Sequence, residues 1–244
     1  MTAKPTFSEA IRFQLARVQH LREATRQGPL LTALKAVKGF QARRFKGTYS
    51  DFLRDPRYAP ATQFFLDELY GEHDFTERDQ QFGRIAGAIE RLFPDAVGQL
   101  AVDLAETHAL TETLDHQMAE HWASAPAGLS PEANYIRSWR LTGLPADRAR
   151  QLAVVQHMGA ELQRLTRMKS LLFALKMMRQ PAQAAGLGAL QQFLERGFQA
   201  FAHMRDSSHL MEAIAERESA WIEHLFRDDP TVCQQALQAE LSSP

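Results

Sequence analysis

A chain of 244 residues with 45% hydrophobic and 23% charged side chains has enough apolar material for one large helical domain or two small ones, which excludes intrinsic disorder. No stretch reaches the roughly 18 consecutive apolar residues of a membrane helix, and MTAKPTFSEAIRF at the start lacks the apolar core and cleavage site of a leader, so a cytoplasmic protein without membrane insertion is expected. The single cysteine, Cys233, excludes an internal disulfide, and a net charge of −1 conceals a division: residues 1–60 carry twelve Lys and Arg against four Asp and Glu, residues 61–126 three against thirteen.

In chain order, residues 6–26 form a first helix with Phe7, Ile11, Leu15 and Val18 on one face. Gly28 and Pro29 punctuate it. A second helix runs to about Phe45, where Arg43, Arg44 and Lys46 suit the negative end of the helix dipole. Gly47, Pro56 and Pro60 make 47–60 a connector with at most one turn near Asp51–Leu53. Residues 1–60 are thus a basic helical pair and connector, ahead of a main bundle over 61–228 and a polar tail over 229–244.

The run QFFLDELYGEHDFTERDQQFGRI, residues 63–85, is the most informative. Phe64, Phe65, Leu66, Leu69 and Tyr70 give a wide apolar stripe, Gly71 ends that helix, and Thr76 with Asp79 reads as a capping box opening the next near Glu77. That helix reaches Phe93. Pro94 starts another over 95–123, with Leu100, Leu104, Thr107, Thr111, Leu114 and Met118 as its stripe, the two hydroxyls being satisfied by their own helix. Ser130-Pro131 begins a helix carrying Tyr135, Ile136 and Trp139. A long one follows from about Ala146 to Met178, where Gly159 permits close approach of a neighbour. Two more, around Phe193 to Met204 and Leu210 to Leu225, meet at the short turn RDSSH and so lie antiparallel. The fold class is all-α, a multi-helix bundle of about eight or nine helices with mostly antiparallel neighbours. Cys233, in the polar tail, reads as an inert thiol.

The strings FFLDELYG and DFTERD, with LDHQM, AAGLGALQQFLERGFQAF and RES further on, resemble those of an uncharacterised family of bacterial helical proteins, over about Phe64 to Phe226. The resemblance implies a helical fold and carries no site residue to this chain.

Motifs for chemistry are sparse. A ferritin-like di-metal site needs Glu three residues before His on two helices, and none of the nine histidines has one. Glu112, His116 and Glu120, in steps of four, are weak metal candidates and read equally as an exposed polar ridge. HExxH, GxxxxGK[ST] and GxSxG are absent, and Gly186 and Gly188 lack the third glycine and preceding strand of a dinucleotide loop. Asp67 with Glu68, Asp103 with Glu106, and Asp115 are candidate carboxylates, of which Asp103 with Glu106 could form a proton-transfer pair if buried, and His108 or His121 could face a haem. Between Leu162 and Leu194 there is no acid, while Arg164, Arg167, Lys169, Lys176 and Arg179 line up there. Without interleaved aromatics this argues against nucleic acid and for a basic face meeting the acidic 61–126 segment.

The opposite charges of 1–60 and 61–126 either meet within one molecule or across a homodimer, or face external partners; the internal arrangement needs no partner and is preferred. The favoured function is a non-catalytic binding protein for a protein partner, its own copy, or a small apolar or acidic ligand in a cavity lined by Phe and Met. Candidate contact residues are Phe64, Phe65, Tyr70, Arg43, Arg44, Arg164 and Arg167, with no cofactor expected. The alternative is a haem-oxygenase-like or metal-dependent helical enzyme holding a haem or di-metal site.

Overall fold

The computed structural model describes residues 5–69, 71 and 74–242. Helices follow one another with no strand among the described residues. At the N-terminus, Thr6 and Glu9 form a reciprocal capping box, each side chain accepting from the other's backbone N–H, and open α1 (Phe7–Ala24). Ile11 and Val18 on its expected face are buried. α2 (Pro29–Thr48) begins at Pro29 but runs through Gly47, past the stop predicted there. The connector then holds α3 (Ser50–Arg54), and α4 (Ala59–Leu69) starts before Pro60. Pro60 lies in that helix's first turn, where a missing N–H costs nothing.

α5 (Thr76–Leu92) lacks the Thr76–Asp79 box. Asp74 accepts from the Thr76 N–H instead, and Asp79 is buried among charged partners. α6 (Asp95–Ala123) is the hub: α1, α2, α7 (Pro131–Thr142) and α8 (Pro145–Thr166) all pack on it. Ala101, Ala105, Ala109 and Ala119 are buried and let these neighbours approach, so the helix is covered well beyond the single stripe read from its sequence. Acids of α5 and α6 meet the basic N-terminal helices: Arg22 Nη1 lies 2.8 Å from Asp79 Oδ2 on α5, and Lys38 Nζ 2.7 Å from Glu112 Oε1 on α6. Part of the charge division is therefore met inside the molecule.

The long helix expected over 146–178 is divided into α8 and α9 (Lys169–Met177), and α10 (Arg179–Ala184) precedes α11 (Gly188–Met204). α12 (Ser208–Arg227) turns back, and Met211 lies so close to Gly159 of α8 that a Cβ there would meet its methyl at 2.4 Å. The polar tail is also corrected. Asp229 caps α13 (Pro230–Leu241), whose Cys233 and Leu237, four apart on one face, are fully buried against α2 and α7. At the far end the Glu240 carbonyl sits where a Cβ on Gly47 would be, 2.0 Å away, so glycine is what admits α13. Among the described residues, thirteen helical segments, including three short ones, stand where eight or nine were expected.

Candidate functional site

Two apolar clusters, one around Phe45, Tyr49, Phe201 and Ile214 and one around Phe40, Met118, Tyr135 and Leu225, leave a cavity of about 70 Å³ between them. With about 10–15 Å³ per water, this is room for roughly five waters. Its wall mixes polar and apolar side chains. α2 supplies Gln41, Arg44 and Phe45, α4 Phe65, α6 Thr107, Thr111 and Asp115, α7 Tyr135 and Trp139, α8 Arg148, Gln151, Leu152 and Val155, and α12 Ile214, Glu218 and Ile222.

Each charged member sits on an otherwise apolar stripe. Arg44 donates two hydrogen bonds to Glu218, at 3.0 and 2.8 Å, and Tyr49 Oη donates a third at 3.1 Å. Arg148 lies flat over the Trp139 ring, Cζ 3.7 Å from its centroid, with Nη2 3.1 Å from Met118 Sδ. Gln41 Nε2 donates to Asp115 Oδ1 at 3.0 Å. Burial pushes the Asp115 carboxyl above its ordinary range, against the pull of nearby Lys38 and Arg148. Burial likewise raises Tyr135, which stays a hydroxyl. Trp139 is buried, and its Nε1–H has no hydrogen-bond acceptor among the described residues. Thr111 back-bonds to the Thr107 carbonyl as expected, but both threonines also line the cavity.

A second polar cluster lies between α1, α5 and α6. Asp79 Oδ2 accepts from Arg22 Nη1 and from His108 Nε2, both at 2.8 Å, and Arg78 approaches its other oxygen at 3.4 Å. Burial would raise Asp79, but His108, Arg78 and Arg22 together hold it below its ordinary value. Glu112 is treated the same way by burial against Lys38, His108 and Arg22. Phe75, expected to hold the corner before α5, packs edge-on against His108 with Arg78 over its face. This cluster is closed by its own salt bridges.

Of the sequence-predicted contact residues, only Arg44 and Phe65 reach the cavity. Phe64 packs on Phe193 and fills the space above Gly197; Arg43 is exposed beside Phe40. Arg164 is exposed and pairs with Glu161, and Arg167 is exposed. Tyr70 lies outside the described residues. The weak metal set does not converge as an exposed ridge: Glu112 is buried on Lys38, while His116 turns to Glu120 at 3.6 Å. His108 is taken by Asp79, and Asp103 is buried and accepts from His157. Among the described residues, no three His, Cys, Asp or Glu side chains gather in an arrangement that could hold a metal ion. Cys233 is buried with Arg140 Nη2 3.7 Å from its sulfur, and burial raises its thiol pKa.

Asp115, a candidate carboxylate in the sequence, does reach the cavity. The residues missed were Arg148 and Glu218, both legible as charges at helical spacing within apolar stripes: Arg148–Leu152–Val155 and Ile214–Glu218–Leu225.

Compared with known protein families, residues 20–232 match the model of a domain of unknown function, DUF8198, and the chain belongs to that family. No curated protein matches the chain. No solved structure matches it either.

Proposed function

We propose that this member of the DUF8198 family is a non-catalytic binding protein that holds a small acidic molecule in the cavity between α2, α6, α7, α8 and α12. The observation that carries this reading is the wall itself. Arg44, Arg148, Asp115 and Glu218 are placed around a cavity in a helical core, where close-packed aliphatic side chains would be as stabilising or more so. Retention of such charges around open space is the signature of a site with a few convergent polar groups.

The direction of the chemistry follows from what each group offers. Arg148 can only donate, and the indole Nε1–H of Trp139, buried without an acceptor among the described residues, is a second donor beside the cavity. Arg44 already answers Glu218. The wall therefore presents donors in excess, which suits a carboxylate or oxyanion of a few heavy atoms. Phe45 and Phe65 would face its apolar part. The lining corrects the cavity of Phe and Met foreseen from sequence: two Phe take part and no Met lines it.

Thermal denaturation with acetate, bicarbonate and inorganic phosphate tests the reading. At least one should raise the melting temperature saturably, and Trp139→Phe should weaken that response relative to its own unliganded baseline. A flat response to all three anions, or an undiminished one in Trp139→Phe, would overturn it.

One observation favours an enzyme as the second reading. Asp115 has its proton affinity raised and lies on the cavity wall, as a proton-transfer group would. Turnover of a bound acid that is lost in Asp115→Asn while binding persists would select that reading.

A further inference from the structure

The cavity leaves a local group of exposed apolar side chains unexplained. Phe173 is 66% exposed, Met177 62%, Met178 50% and Met168 44%, all within eleven residues on and beside α9. Of the α9 side chains described, from Ser170 to Met177, none is buried. Phe173 and Met177 are four apart and share a helix face with Lys176, three beyond Phe173. Arg167 is exposed just before the helix, and the chain carries no acid from Leu162 to Leu194.

We infer that α9 is a peripheral docking element for the surface of an anionic phospholipid bilayer, with Phe173 and Met177 entering the acyl boundary and Arg167 and Lys176 meeting the headgroups. A helix of mixed apolar and cationic side chains lies in the interface in this way, its long cationic stems reaching back to the phosphates. Charge complementarity selects this occupant. A symmetric second copy would set Lys176 and Arg167 against their own counterparts. The acidic segment of another copy is poorly placed to receive them, because Asp67 and Glu68 answer Arg196, Asp79 answers Arg22, Glu106 answers Arg150 and Glu112 answers Lys38 within the molecule. A bilayer also accepts protruding side chains without a shaped partner. No helix of the described residues is long and apolar enough to cross a membrane, so the contact is one of surface only.

The test is cosedimentation of the full chain with phosphatidylcholine vesicles with and without phosphatidylglycerol, at low and high salt. Binding should require phosphatidylglycerol and fall with salt. The affinity should drop about tenfold or more in Arg167→Glu/Lys176→Glu, since each surface cation contributes on the order of fivefold. A comparable drop is expected in Phe173→Ser/Met177→Ser, with both variants melting at the wild-type temperature because the sites are exposed. Absence of binding to anionic vesicles, or binding unchanged in both variants, would overturn the inference. So would light scattering that shows a dimer dissolved by Phe173→Ser/Met177→Ser, or tighter binding of α9 to an acidic peptide that excludes vesicles.

Discussion

Arg44 and Glu218 lie 174 residues apart in sequence and meet in two parallel hydrogen bonds at 3.0 and 2.8 Å. The pair joins α2 to α12 beside the cavity, with Arg44 almost wholly buried. Removing one partner strands a charge in the interior, whereas removing both does not. Glu218→Leu should therefore cost about 3–5 kcal/mol of stability, while Arg44→Met/Glu218→Leu should regain most of it. Urea unfolding of the two single variants and the double variant measures this directly.

Acid stability should be governed by the cluster around His108. Asp79 and Glu112 are both held below their ordinary pKa in the folded protein. Their contribution is present above the unfolded carboxylate values, near about pH 4, and is lost as pH falls through the lower folded values. Stability should decline from about pH 4 downward, and the decline should be shallower in Asp79→Asn/Glu112→Gln. Urea midpoints followed through the acid range report it.

Asp115 should behave oppositely. Its folded pKa is raised, so leaving water costs stability as pH rises from its unfolded value through its folded one. In Asp115→Asn the amide oxygen can still accept from Gln41, and the charge is gone. The variant should gain stability relative to wild type at neutral pH and lose that advantage near about pH 3, where both forms are uncharged. Melting temperatures at the two pH values decide.

The C-terminal helix is the third element with a clear energetic signature. Leu237 is fully buried, so Leu237→Ala should cost about 2–5 kcal/mol. Gly47→Ala would place a methyl 2.0 Å from the Glu240 carbonyl oxygen and should cost about 1–3 kcal/mol by displacing α13. Amide exchange in α13 should rise in Gly47→Ala before the remainder of the protein loosens.

How far the sequence reached depends on what kind of signal each element emits. α1, α6 and α7 announced themselves through apolar spacing and through Thr6, Pro94 or Ser130 near their starts. α13 was hidden because only Cys233, Leu237 and Leu241 mark its inner face among three glutamines and Glu240. The α8–α9 break was hidden because no glycine or proline stands near Arg167; the apolar pattern continues across it while the backbone does not. Asp79 imitated a capping-box partner by its distance from Thr76, whereas the Thr76 N–H donates to Asp74, two residues before it. The cavity depends on five helices meeting, which local spacing does not encode, although a lone charge in each apolar stripe was its visible trace.

Trp139 is the cavity residue whose response to a bound acid is read most directly. The protein has three tryptophans, so its nitrogen-proton NMR spectrum shows three indole signals, and Trp139→Phe identifies the one in the cavity. Titration with acetate should shift the Trp139 indole signal saturably and far more than that of Trp122, as its buried Nε1–H acquires an acceptor. A Trp139 signal that stays in place while acetate, bicarbonate and phosphate are each added to high concentration would contradict the claim that this cavity receives a small acid.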